Sequence, residues 1–306
     1  MRFTVEPWAP DYGTPMEGTL AEPEAVPDVD VEVPASRWAP IVPESGPARP
    51  VLFVDGVRRV DANVWIETSP DTADLGLCAT YAAGAVRCGE AEATVVATSV
   101  ERGLFTSARD AQAVTAGATT YEVQPTTGTT PEELWLGIQH RMGELEGRIA
   151  SAETGDHLVV VDGPLSHRRH VAGAVGFVKT QHTQYLPPAL RGILAHLPPG
   201  GRTPLFLTTT SWSRFSWYIR LAAASGPAGG IARCETTAAG DVAGAVSVAD
   251  AVTRTLPRFA SEEHKDPRAP QNLYPIGGLE RELRRRLGDP RLQYRALRKA
   301  ASDLSP

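Results

Sequence analysis

The stretch "VLFVDGVRRV", residues 51–60, is an apolar run that ends on an acid, Asp55, followed by glycine. The pattern returns about a hundred residues later in "HLVVVDGPLS", residues 157–166, which ends on Asp162. Asp-Gly is the strongest short hairpin signal, so each pair reads as a turn between strands. A carboxylate at the end of a buried strand also reads as a ligand for a hard cation. Both readings stand at this point.

From residue 51 onward the pattern is that of a strand meander. Val51–Asp55, Arg59–Glu67, Leu77–Val86 and Ala93–Val100 are expected strands joined by short connections. "TTPEELWLGIQHRMGELEGRIASAE" follows. Thr130 fits an N-cap, Pro131 the first helical position and Glu133 the capping-box position. Leu134, Ile138, Met142, Leu145 and Ile149 recur at 3.6-residue spacing and predict an amphipathic helix. The valine-rich run to Asp162 reads as a strand buried on both faces. Beyond it, helices are expected near 187–196, 247–255 and 279–287, and strands near 204–209, 217–222 and 231–235. Strands, then a helix, then a buried strand and further alternation predict an α/β fold with a mixed sheet.

Residues 1–50 differ in kind. They hold ten of the 26 prolines and nine acids against three bases, so the whole net charge of −6 lies there. Proline removes backbone donors and fixes φ, which predicts an extended arm. Trp8, Tyr12, Trp38 and Ile41 require a surface to cover, on the body of this chain or on a partner. The division expected is an acidic arm, 1–50, and one domain, 51–306. Residues 51–306 hold 27 acids and 27 bases, and eight of those bases fall between Glu280 and Ala300. Nucleic-acid binders carry a basic face more often than a basic total, so the charge excludes little.

No apolar run approaches the roughly 20 residues of a membrane helix. Three cysteines without a C-x-x-C spacing indicate neither a disulfide framework nor a cysteine zinc site. The first residues have no signal-peptide pattern, and a cytoplasmic location is expected. No G-x-x-x-x-G-K-[ST] occurs, so P-loop nucleotide hydrolysis is not expected.

Carboxylates on two strands and the intervening helix can converge at one sheet edge. Asp55, Asp162 and either Glu144 or Glu146 are the candidates, with Glu144 slightly favoured. Such oxygen-rich sites select magnesium or manganese over zinc, and paired ions of this kind serve phosphodiester hydrolysis. The same four acids also read as two turn residues and a solvated helix face. Among the bases, "HRRH" at 167–170 offers a histidine pair or phosphate contacts through Arg168 and Arg169. Arg214, Trp217, Tyr218 and Arg220 interleave bases with aromatics, as single-strand binding surfaces do, and also fit a core strand. Arg233 and Glu235 read as a structural ion pair.

"FVDGVRRV", "VVVDGPLSH", "VGFVKTQ", "FSWYIRLA", "GIARCE" and "APQNLYPIGGLERELRRRLGD", in this order across 51–287, resemble the NurA nuclease family. The resemblance implies a ribonuclease-H-like fold: a mixed sheet flanked by helices, with the proline-rich segment as an N-terminal arm. It implies a Mn2+ (or Mg2+) dependent deoxyribonuclease, a 5'–3' exonuclease and/or single-strand endonuclease on single- and double-stranded DNA. It also implies end resection as a homodimer with a HerA-like hexameric ATPase. Asp55 and Asp162 match the family's metal-binding aspartates, and Lys179 would neutralise the scissile phosphate. Arg220 and Arg284 join Arg168 and Arg169 as expected DNA contacts. The chain departs from the family pattern at Val57, where a small hydroxyl residue is usual, and after Tyr274-Pro275, where Glu280 stands and no histidine follows. Two other classes fit parts of the pattern: a non-catalytic assembly subunit, and an actin-like or sugar-kinase-like ATPase.

Overall fold

The computed structural model describes residues 16–21, 23–46, 49–69, 71–153, 155–224 and 229–304. Trp8 and Tyr12 therefore lie outside the described residues. The strands are β1 (Met16–Ala21), β2 (Val51–Ser69), β3 (Thr72–Cys88), β4 (Ala93–Thr106), β5 (Val114–Ala116), β6 (Thr119–Pro125), β7 (Leu158–Asp162), β8 (Ala174–Val178), β9 (Gln181–Thr183), β10 (Phe206–Thr209), β11 (Ser213–Arg220) and β12 (Ile231–Thr237). The α-helices are α1 (Pro131–Ala152), α2 (Ile193–His196), α3 (Val242–Thr255), α4 (Tyr274–Arg286) and α5 (Pro290–Leu304).

Ten strands form one sheet in the order β10-β11-β12-β8-β7-β2-β3-β4-β6-β5, while β1 pairs with β9. Neighbours β2 and β3 are separated by two residues, which only an antiparallel hairpin can span. β7 runs parallel to β8 and β4 parallel to β6, so the sheet is mixed. An antiparallel meander, then a helix, then parallel strands beside the first strand of the meander is the ribonuclease-H-like arrangement.

The largest departure from the expected elements lies at the opening motif. β2 is a single strand of 19 residues that passes through Asp55-Gly56 without turning. Val51, Leu52, Phe53 and Val54 are all fully buried, so both faces of its first half are covered. The helix expected near 187–196 is a 3-10 turn, Pro188–Leu190, and the single turn of α2, broken by Pro187, Pro188 and Gly192. α3 starts earlier than expected because the Asp241 side chain caps Gly244 N at 2.8 Å. β1, β5, β6, β8, β9 and α5 were not expected from the sequence.

The described chain divides into two compact units. One comprises the described residues of 1–53, 86–94 and 154–277. In it the acidic arm lies against the body. Asp28 and Leu207 exchange backbone hydrogen bonds of 2.9 and 2.8 Å, and Ile41 and Arg202 exchange two of 2.8 Å. Glu32 clasps the buried Arg202 through two 2.9 Å hydrogen bonds and accepts a third from Leu205 N. Trp38 packs against a core of Leu186, Leu194, Leu197, Phe206, Tyr218 and Ile231.

The other unit comprises 54–85, 95–153 and the described residues of 278–306. Its helix α1 begins with the capping box read from the sequence: Thr130 Oγ1 accepts from Glu133 N at 3.3 Å, and Glu133 accepts from Thr130 N at 3.0 Å. Its apolar stripe is buried, and Glu146 is buried with it. α5 closes over β5 and β6, where Leu297 packs with Tyr121, Leu104 and Ala116. No described helix is long and apolar enough to cross a membrane.

Candidate active site

Asp55 is 6% exposed, and its Oδ1 accepts a 2.8 Å hydrogen bond from Gly56 N. The glycine has a role other than a turn. A Cβ at position 56 would lie 2.4 Å from Glu146 Oε1 and 2.8 Å from Met142 Cγ, closer than any side chain tolerates. The bare backbone is what lets the Glu146 carboxylate reach the strand beside Asp55.

Glu146 is 1% exposed. Glu144, by contrast, faces outward and pairs with Arg141 at 2.7 Å. Helix geometry separates the two acids: Glu146 follows Met142 by four residues and joins the buried stripe, while Glu144 follows it by two and leaves it. Of the alternatives left open by the sequence, the structure brings Glu146 to Asp55 and leaves Glu144 on the surface.

Asp162 ends β7. Its Oδ2 accepts a 2.7 Å hydrogen bond from Lys179 Nζ, while its buried Oδ1 takes none among the described residues. Here Asp-Gly does close a strand: Gly163 has φ +86°, a left-handed conformation that glycine adopts without strain. Lys179, just past β8, also donates to Asn272 Oδ1 at 3.0 Å. Asn272 is fully buried, and its Nδ2 donates to Asp266 Oδ2 at 2.6 Å. The ammonium is thus held by a carboxylate on one side and an anchored amide on the other.

Within one unit, Asp55 and Glu280 each offer a carboxylate oxygen within 4.8 Å of the other's. Glu280 stands on α4, in the segment that departs from the family pattern. The donor set is entirely carboxylate, which suits Mg2+ or Mn2+ and disfavours zinc. A buried carboxylate oxygen without a hydrogen bond is costly, and a cation beside Asp162 Oδ1 would satisfy it. The residues fit a divalent ion.

The expected DNA contacts divide. Arg169 and Arg284 are exposed. Arg168 is buried and folds back to donate to Pro164 O at 2.6 Å. Arg220 is buried and donates to the carbonyls of Gly229 and Leu194, and burial lowers its pKa. Arg220 is therefore a structural cation and not a DNA contact. Every residue of β11 after Ser213 is buried, so Trp217 and Tyr218 are core. Arg233 pairs with Glu235 at 2.6 Å, and Arg214 joins them at 3.4 Å.

Sequence reasoning missed Asn272 and Asp266. The motif "APQNLYP" contains the asparagine, but nothing in its spacing points to a lysine 93 residues earlier.

No protein-family model matches the sequence, and no curated protein matches it. The chain is similar to the solved structure of the NurA nuclease from Sulfolobus solfataricus. The two share 10% identity over 82% of this chain and 84% of that one, with a TM-score of 0.49. A second NurA structure is 16% identical over 43% of this chain and 23% of that one, with a TM-score of 0.21. An Endonuclease V from Bacillus subtilis is 10% identical over 79% of this chain and 84% of that one, with a TM-score of 0.33.

Proposed function

We propose that the chain is a NurA-type, divalent-metal-dependent deoxyribonuclease. The observation that carries the proposal is the pair of oxygens from Asp55 and Glu280, within 4.8 Å of each other and with the buried Glu146 carboxylate against the same strand. The other unit carries Asp162 with Lys179 tied to it. Asp55 and Glu280 would hold Mn2+ or Mg2+, with Glu146 beside Asp55, and Asp162 is the candidate ligand carried by the other unit. The bound ion would supply positive charge to the phosphodiester and acidify a water molecule. Lys179 donates to Asp162, and its ammonium there would oppose the negative charge that grows on a phosphate under attack. Asn272 and Asp266 fix the direction of that ammonium. Arg169 and Arg284 are left to contact backbone phosphates.

In this reading the chain works with a separate ATP-driven motor, a HerA-like hexameric ATPase, since its own sequence offers no P-loop. A homodimer engaged in DNA end resection completes the proposal.

The test is degradation of linear duplex and single-stranded DNA by the purified full chain with Mn2+, with Mg2+ and with a chelator. Metal-dependent cleavage that Asp55→Asn reduces by about a thousandfold or more is expected for loss of a metal-holding carboxylate. Cleavage that survives the chelator or Asp55→Asn overturns the reading. DNA binding without cleavage by the wild type would instead mark a non-catalytic subunit.

A further inference from the structure

Trp135 and Glu146 are eleven residues apart on α1. At 100° per residue they share one helix face to within about 20°, and at 1.5 Å per residue they stand about 16 Å apart along it. Glu146 is buried beside Asp55, whereas Trp135 is 38% exposed and its neighbour Leu136 is 62% exposed. Arg58 links the two ends. It follows Gly56 by two residues on β2, so it faces the same side of the strand, toward α1. Its guanidinium lies over the Trp135 ring, 4.7 Å from the centroid, and its Nη2 donates to Gln139 Oε1 at 3.3 Å. Its Nε is buried with no hydrogen-bond partner among the described residues. The charges of Asp55 and Glu146 both act on it.

An exposed tryptophan is ordinary when it stands alone. This one is backed by a cation that sits within the electrostatic reach of the acidic site. An aromatic face paired with a guanidinium is the recognition chemistry of unpaired bases: the ring stacks on a base and the cation meets the adjoining phosphate. We propose that this face of α1 binds single-stranded nucleic acid, with Trp135 stacked on an unpaired base and Arg58 on a neighbouring phosphate. The stacked base then lies a few nucleotides from the bond presented to the carboxylates. Trp135 positions the strand and takes no part in the chemistry. This inference deepens the nuclease reading and rests on it for the meaning of the site.

The experiment measures binding of a fluorescein-labelled oligothymidylate to the full chain by anisotropy, with chelator present so that nothing is cut. Trp135→Ala is expected to weaken binding by about tenfold, and Trp135→Phe, which keeps an aromatic face, by less. An oligomer of abasic residues should bind wild type and Trp135→Ala alike, and this arm on the wild type needs no variant. A fully paired duplex should also lose the difference. Equal affinity of wild type and Trp135→Ala for the oligothymidylate overturns the proposal, as does wild-type protein that binds abasic and thymine strands equally. A change in sedimenting mass of Trp135→Ala at unchanged DNA affinity overturns it in favour of a protein interface. Hydrolysis of bis(p-nitrophenyl) phosphate with Mn2+ tests the nuclease reading independently. A wild type inert toward both the diester and DNA, yet sensitive to Trp135→Ala in binding, would remove the nuclease reading and leave the binding site standing.

Discussion

A methyl group at position 56 would sit 2.4 Å from a carboxylate oxygen of Glu146 and 2.8 Å from Met142. Gly56→Ala therefore pushes Glu146 off the strand or bends β2 away from α1. We expect Gly56→Ala and Glu146→Gln to behave alike, each lowering metal-dependent cleavage at least a hundredfold. Glu144→Gln, on a side chain facing Arg141, should stay within about twofold, because exposed helix pairs contribute little. Equal effects of Glu144→Gln and Glu146→Gln on cleavage would remove the helix from the mechanism. Much of this was legible beforehand. The two aspartates announced themselves as acids at the ends of apolar runs, but the sequence alone leans to Glu144, and it is Glu146, four residues after Met142, that is buried with the stripe. What the sequence hid was the meaning of the glycine. As a dipeptide Asp-Gly is a turn signal, and only the position of α1 reveals that the first one makes room for a neighbour. Arg220 was illegible for a similar reason: β11 is covered on both faces, and alternation cannot mark which of its cations faces water.

At the scale of elements, the acidic arm is the part most changed by the structure. Its charge and prolines suggested an extended arm lying on the body of this chain or on a partner, an appendage in either case. Residues 23–46 instead complete a core, and Glu32 meets an arginine that is 1% exposed and is also held by Asp250 at 2.6 Å. Burial on its own would lower the Arg202 pKa, but hydrogen bonds and charge from Glu32 and Asp250 raise it. Removing one partner of a buried pair costs about 3–5 kcal/mol. Glu32→Gln should fall near the low end, about 3 kcal/mol, because Asp250 remains and the amide still accepts one hydrogen bond. Urea unfolding followed by tryptophan fluorescence measures it. A midpoint equal to wild type would mean that the clasp contributes nothing. Deleting 1–48 should then compromise the fold itself, so loss of assembly in such a deletion would say little about partners. The sequence could not supply this pairing, since the two residues are 170 positions apart.

For the whole molecule, three free thiols are buried in the core. Burial, with Asp61 nearby, pushes the Cys78 thiol up to about 12; burial pushes Cys88 up to about 11. In the unfolded chain a thiol ionises near 8.5. The folded protein thus keeps its protons where the unfolded chain releases them, and stability falls as pH rises. The contribution is complete below about pH 8.5 and declines toward pH 11–12, by on the order of 1–2 kcal/mol per thiol at pH 10. Urea midpoints at pH 7.5 and 10 measure it, and replacing all three cysteines by alanine should flatten the difference. An unchanged wild-type midpoint at pH 10 would contradict the burial of these groups. At this scale the α/β class and the order of strands and helix were readable from periodicity. The ten-strand order was not, because it depends on pairings such as β4 with β6 that no local pattern records.

The clasp between Glu32 and Arg202 also has a consequence in time. A ribosome adding roughly 5–20 residues per second makes Arg202 about 10–35 seconds after Glu32. Throughout that interval the arm has no surface to lie on. With Val26, Val29, Val31, Val33, Ile41 and Val42 it holds the residues that would otherwise expose a strand edge to other chains during the wait. Proline, which cannot donate to a ladder, and acids, which repel one another, keep this segment soluble and unpaired until the body exists. The composition that looked like that of a tail suits a piece of the core that must be made first and fitted last.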